Sequence, residues 1–120
     1  MQELHLFPEQ AAVCKRYDVQ PQIPLHHDRL GIAMSTLGLK PINGMRIPAF
    51  SGSSGWYIFG GEEPSANEDF YSPLCVRHVG RHCKNAVPYL CLPAGWRFQI
   101  DADEYEDVWY DERLLSPTER

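Results

Sequence analysis

Acidic residues are the side chains most able to do chemistry in this chain, and many of them lie in one segment. Residues 98–112 contain seven acids and no base, and Glu62 and Glu63 form a second acidic pair. Paired carboxylates act as acid and base in glycoside hydrolysis. However, any domain this acidic offers such pairs, and a chain of 120 residues shows no separate substrate-binding element. We therefore predict a binding protein with no catalytic residues, not an enzyme.

The distribution of charge indicates which partner the acidic segment favours. The net charge is −5, but the residues outside 98–112 carry eleven bases and nine acids and so sum to +2. A concentrated negative field disfavours nucleic acid and favours a basic protein surface. The alternative is a solvated loop between two strands. The predicted partner-binding residues are Glu62, Glu63, Asp101, Asp103, Glu104, Glu106 and Asp107.

Two histidines, His78 and His82, have the spacing that places both imidazoles on one face of a helix, with Cys75 and Cys83 nearby. Such a pair can chelate zinc, but a zinc site needs three or four ligands. The intervening glutamate of a zinc protease is also missing. We therefore predict surface or half-buried helix histidines and no metal ion.

Other motifs of reaction chemistry are absent from the sequence. It has no Gly-x-Ser-x-Gly elbow, no phosphate-binding glycine loop and no calcium loop. Residues 51–55 are better explained as a flexible glycine-serine loop. The four cysteines form no Cys-x-x-Cys pair, so we expect reduced, mostly buried thiols. No cofactor is predicted.

The length and the apolar pattern indicate one domain, residues 1–120, outside the membrane. No stretch of eighteen apolar residues exists, which argues against a membrane span. The first five residues lack the basic and apolar regions of a signal peptide. We therefore expect a cytoplasmic protein.

The spacing of apolar residues and the positions of turn residues predict the helices and strands that position these acids. Residues 8–18 predict an amphipathic helix, with Pro8 at its first position. Residues 30–37 fit a buried strand, with a helix as the alternative. Asn43 and Gly44 predict a tight turn into a strand at residues 45–48. Residues 56–59 predict the next strand.

In the second half of the chain, the sequence predicts helical segments first and two strands after them. Ser72 as cap and Pro73 at the first helical position predict a helix start, and residues 86–90 predict a further helical turn. Residues 96–100 and 108–110 predict two strands joined by the acidic connection. The predicted fold class is α+β: a single domain with a mainly antiparallel sheet and two to three helices.

The tryptophans Trp56, Trp96 and Trp109 alternate with other aromatic residues along these strands. Such residues are most often core and cross-strand packing. Period-two alternation also allows one of each pair to face outward. An exposed tryptophan or tyrosine beside acids would suit the binding of an arginine-rich protein surface.

Several segments in fixed order carry a family resemblance. They are Ser-Thr-Leu at residues 35–37, Pro-Ile-Asn-Gly-Met-Arg at 41–46, Gly-Trp-Tyr-Ile-Phe-Gly-Gly-Glu-Glu at 55–63, Asp-Phe-Tyr-Ser-Pro-Leu-Cys-Val-Arg-His at 69–78, Tyr-Leu-Cys-Leu-Pro-Ala-Gly-Trp-Arg-Phe at 89–98 and Tyr-Glu-Asp-Val-Trp-Tyr-Asp at 105–111. Together they resemble the thirty-third class of bacterial polymorphic-toxin immunity proteins. The resemblance covers a core of residues 30–111. It leaves out an N-terminal helix and loop at 1–29 and a tail at 112–120.

The resemblance implies an antidote: a cytoplasmic protein that binds a cognate secreted toxin and blocks it by direct occlusion. It supplies no catalytic residue. Cys75, Cys91 and residues 51–54 depart from the family pattern, so the identity of the partner does not follow. We hypothesise that the acidic segment, with Glu62 and Glu63, faces a basic toxin surface such as a nuclease active site. The alternative is a small regulatory or adaptor module with no toxin partner.

Overall fold

The structure is a computed structural model that describes residues 6–25, 27–67, 69–101 and 104–116. The part it describes contains one α-helix, α1 (Pro8–Arg16), which confirms the predicted first helix. Proline is favourable at the start of α1 because the first N–H groups of a helix have no internal partner. Glu9 in the first turn and Lys15 and Arg16 in the last turn complement the helix dipole. No helix in these ranges is both long enough and apolar enough to cross a membrane.

Within the described ranges, six strands form one sheet in the order β4-β1-β3-β2-β5-β6. β1 pairs with β3 in parallel, and the other four neighbouring pairs are antiparallel. This confirms the α+β class with a mainly antiparallel sheet. The strands are β1 (Arg29–Ile32), β2 (Ile42–Arg46), β3 (Ser53–Gly60), β4 (Ser72–Cys75), β5 (Trp96–Ile100) and β6 (Glu106–Tyr110). The described residues also form four 3₁₀ helices: Met34–Thr36, Val76–Arg81, Lys84–Tyr89 and Glu112–Leu115.

One face of the sheet carries the core, and α1 and two of the 3₁₀ helices cover it. Trp56 of β3 lies 5.5 Å from the Phe98 ring of β5, centroid to centroid, and Tyr89 stacks on Phe98 at 4.9 Å. The indole N–H of Trp56 donates to the carbonyl of Leu90 at 2.9 Å. The predicted core role of Trp56 is therefore confirmed, since the residue is fully buried.

A buried arginine joins the sheet to the loops above it. Arg46 at the end of β2 is 1% exposed, and its guanidinium donates to the carbonyls of Ser54, Gln22 and Leu92 at 2.8–2.9 Å. Burial lowers the pKa of Arg46 to about 10. The guanidinium also lies 5.6 Å from the Trp56 ring. No pattern in the sequence predicts that this arginine belongs to the core.

The predicted turn at Asn43 and Gly44 is wrong, because both residues lie inside β2. Gly44 pairs with Ile58 on one side and Phe98 on the other. A Cβ atom at Gly44 would come within 2.1 Å of the Phe98 ring. The glycine therefore makes room for an aromatic side chain, and the Asn-Gly pair forms no turn.

The predicted helix start at Ser72 and Pro73 is also wrong, because these residues open β4. The helix is a 3₁₀ helix, and it begins at Val76, three residues after Pro73. β4 is an edge strand, where proline is tolerated when its nitrogen faces away from the neighbouring strand. The strand predicted at residues 30–37 ends at Ile32, and the 3₁₀ helix Met34–Thr36 follows. The strand predicted at 108–110 begins two residues earlier, at Glu106.

Candidate partner-binding site

Most of the predicted acidic residues lie at one end of the sheet. β3 and β5 end there, β2 and β6 begin there, and the pairing sets Gly60, Ile42, Ile100 and Glu106 in one row. We call this the acidic end. Glu62 and Glu63 follow β3 at this end and are exposed. Asp103 lies outside the described residues.

An open cleft of about 640 Å³ lies at the acidic end, between the 3₁₀ helix Lys84–Tyr89 and the connection from β5 to β6. Its charged lining residues are the four acids Glu9, Asp101, Glu104 and Glu106 and the base Lys84. Three of the seven predicted residues therefore meet in one concave surface, which we call the acidic cleft. Glu9 joins them from α1, a contribution that spacing along the chain could not reveal. Glu62 and Glu63 are not among its described lining residues.

Glu106 is held by contacts within the protein. Its carboxylate accepts hydrogen bonds from the hydroxyls of Tyr17 and Tyr89, both at 2.6 Å, and from Nη2 of Arg16 at 2.7 Å. Burial raises the pKa of this carboxyl, but the three hydrogen bonds outweigh burial and hold it below its ordinary value. Glu106 thus ties α1 and the 3₁₀ helix Lys84–Tyr89 to the start of β6. It has little capacity left for a partner.

The remaining acids differ in their surroundings. Asp101 lies 3.7 Å from Nζ of Lys40, whereas Glu104 and Asp107 are exposed. Strand alternation places Asp107 on the side of the sheet opposite Glu106. The structure therefore does not bring the predicted set together: three of its acids line the acidic cleft, Asp107 lies on the face of the sheet that the helices leave open, and Glu62 and Glu63 lie after β3.

The open face carries a row of large side chains across four strands. Tyr57, Met45, Arg97 and Trp109 are register neighbours from β3 to β6, and all four are partly exposed. The Arg97 guanidinium lies 5.5 Å from the Trp109 ring. Its Nη1 donates to Asp111 at 3.0 Å, and hydrogen bonds from Arg113 and Arg97 hold the pKa of Asp111 well below its usual range.

Trp96 and Trp109 are both partly exposed, but they lie on opposite sides of the sheet. Trp96 is on the core side, between Tyr17 and Tyr110. Trp109 is on the open face, next to Asp107. The row contains arginine, methionine and aromatic residues, the types enriched at protein interfaces. Sequence alternation indicated that one tryptophan could face outward, but it could not indicate Arg97 as its neighbour.

The histidines and cysteines form no metal site in the part of the chain that the structure describes. There, no three side chains of histidine, cysteine, aspartate or glutamate are grouped to hold an ion. His78 lies in the 3₁₀ helix Val76–Arg81, and His82 follows it. All four cysteines are free, and Cys14 and Cys91 are buried.

Comparison with known families tests the resemblance. The model of one family, described as the Imm33-like domain, matches residues 9–111. The chain belongs to the Imm33-like domain family. The match includes α1 from Glu9 onward, a helix that the motif resemblance leaves out. Membership of this immunity-protein family suggests an immunity protein with a non-enzymatic role and, in general, a toxin partner. No curated protein matches the chain, and no solved structure does.

Proposed function

We propose that this Imm33-like protein is an immunity protein that binds a cognate secreted toxin in the cytoplasm and neutralises it by direct occlusion. The observation that carries the proposal is the acidic cleft, which brings Glu9, Asp101, Glu104 and Glu106 to one concave surface. Charge complementarity between two protein surfaces steers their encounter and favours the correct partner. Family membership supports a toxin as the partner, and the acids of the cleft support a basic surface on that toxin.

The exposed acids have the role of steering the toxin. Glu104 and Asp107 are exposed at the acidic end, and Glu62 and Glu63 add negative charge at the same end of the sheet, after β3. Complementary charge accelerates encounter and depends on salt, whereas buried contacts set the rate of dissociation. Glu106 supports this surface from within, because its carboxylate is already bound by two tyrosines and an arginine.

Co-expression tests the immunity role. The reading frame next to this one would be expressed with and without the chain, and growth would be followed. Rescue of growth from a toxic effector is the expected result. If the neighbouring product is harmless, or stays toxic when the chain is present, the regulatory or adaptor alternative takes its place.

Binding kinetics at two salt concentrations test the electrostatic part separately. Glu104→Gln should lower the rate at which the chain associates with the toxin, and it should make that rate less dependent on salt. Glu112→Gln is the matched control, because it removes the same charge beyond the opposite end of β6. Equal rates for the two variants would remove the steering role of the acidic cleft, while rescue of growth would still support immunity.

A further inference from the structure

The two edges of the sheet differ in how many backbone groups they offer to another strand. Along β6 the ladder with β5 is unbroken. It is flanked by the bond from Asp111 N–H to the Gly95 carbonyl at 2.7 Å and the bond from Asp101 N–H to the Tyr105 carbonyl at 3.1 Å. Bonded and non-bonded pairs alternate in an antiparallel ladder. The N–H and carbonyl groups of the intervening residues Glu106, Val108 and Tyr110 therefore point away from β5.

These outward groups make no hydrogen bond to any residue in the described ranges. β6 contains no proline and no bulge. Such an edge is a template for a further strand unless something guards it. Glu106, Val108 and Tyr110 are alternate residues of β6, and together they offer three donors and three acceptors.

The opposite edge, β4, is guarded. The N–H of Val76 donates to the carbonyl of Asp28 at 2.9 Å, and alternation from that bond turns the backbone of Cys75 and Pro73 away from β1. Proline has no N–H, so the outward side of β4 lacks a donor at its centre. Of the two sheet edges that the structure describes, the β6 edge alone offers an uninterrupted outward row of donors and acceptors.

Charge decides what kind of strand fits. If β6 paired with itself about Val108, the two copies of Asp107 would be diagonal neighbours roughly 7–8 Å apart. Each copy also carries a net charge of −5, so self-pairing is opposed. A strand bearing lysine or arginine would instead meet Asp107 on the open face, with Glu104 close to the start of β6.

We propose that the β6 edge receives an extended, basic strand of the cognate toxin by strand addition. This proposal rests on the proposed immunity role. Backbone bonds to Glu106, Val108 and Tyr110 supply affinity. Asp107 and Trp109, whose side chains lie on the open face, contact alternate side chains of the incoming strand and so give specificity. Strand addition would extend the sheet into the partner and place it beside the acidic cleft.

Residue-resolved amide exchange tests this without the toxin. The probes are a short peptide alternating lysine with valine and a counterpart alternating glutamate with valine. In the free protein the amides of Glu106, Val108 and Tyr110 should exchange faster than those of Asp107 and Trp109. The basic peptide should slow the three outward amides about tenfold or more, and the acidic peptide should not.

A pair of variants tests the backbone bond itself. Tyr110→Pro and Tyr110→Ala both remove the exposed ring, but only proline removes the outward N–H. The proline variant should bind the basic peptide about five- to tenfold more weakly than the alanine variant. Equal affinities, or no slowing of the outward amides by the basic peptide, would overturn the proposal. Protection that grows with protein concentration alone would also overturn it, by making a second copy the occupant.

The results separate this inference from the immunity role. A toxin that is neutralised while the three outward amides stay unprotected would overturn strand addition and leave immunity standing. Protection by the basic peptide without any rescue of growth would support the strand-accepting edge and remove the toxin as its partner.

Discussion

Replacing Glu106 with glutamine tests the conclusion that this acid holds the fold together. Glutamine keeps the shape but loses the charge and one acceptor oxygen. In the native protein each carboxylate oxygen accepts a tyrosine hydroxyl at 2.6 Å, so one of these bonds must be lost or reversed. Losing a partly buried bond to a charged group costs about 1.5–3 kcal/mol.

The ion pair with Arg16 adds little to this cost. The Arg16 side chain is 49% exposed, and exposed pairs contribute roughly 0–1 kcal/mol. The expected loss of unfolding free energy for Glu106→Gln is therefore about 2 kcal/mol. For a domain of this size that corresponds to a fall in Tm of roughly 6–12 °C.

Chemical and thermal denaturation measure the effect, with Asp107→Asn as the matched control. That variant removes the same charge one residue away, but from an exposed side chain, so it should stay within about 0.5 kcal/mol of the native protein. The reasoning is refuted if Glu106→Gln unfolds like the native protein, or if the control loses as much stability.

The pH dependence of this difference follows from the lowered pKa of Glu106. A carboxyl whose pKa is depressed by folding stabilises the protein fully above its ordinary value and loses that contribution as pH falls. The stability gap between the native protein and Glu106→Gln should be constant well above pH 4.5, the ordinary value. The gap should shrink as pH falls below it. A gap that widens in acid would contradict the assignment.

Three further variants or modifications probe the core. Arg46→Met leaves several buried carbonyls without a donor and should cost about 3 kcal/mol or more in denaturant unfolding. Gly44→Ala places a methyl group within 2.1 Å of the Phe98 ring and should cost about 1–3 kcal/mol. Gly38→Ala, with nothing within 4 Å, is its control and should show no comparable loss. Burial raises the pKa of Cys91 to about 11, so thiol reagents at neutral pH should label it only after unfolding.

Local sequence signals were reliable where one neighbourhood decides the structure. α1 follows from Pro8 at its start and from apolar residues at helical spacing. β5 and the strand through Trp56 follow from aromatic alternation ended by glycine or by acids. The α+β class follows from the order of these elements. In each case the residues that set the conformation lie within a few positions of one another.

Local signals failed where distant residues decide. Asn43 and Gly44 have the composition of a turn, but the ring of Phe98, more than fifty positions away, occupies the space beside Gly44. Pro73 has the composition of a helix start, but the free edge of the sheet accepts it as a strand residue. Arg46 has the charge of a surface residue, but its guanidinium is buried and donates to the carbonyls of Ser54 in β3 and of two loop residues, Gln22 and Leu92.

The sequence by itself determined the concentration of acid near the end of the chain, the aromatic strands that flank it and the family to which the motifs belong. The tertiary structure alone decided what each acid does. It brings Glu9 and Glu104 to one cleft, commits Glu106 to Arg16 and two tyrosines, and turns Asp107 to the open face. The physical reason is that charge and periodicity are properties of neighbours along the chain. Hydrogen bonds, burial and free strand edges depend on residues that only folding brings together.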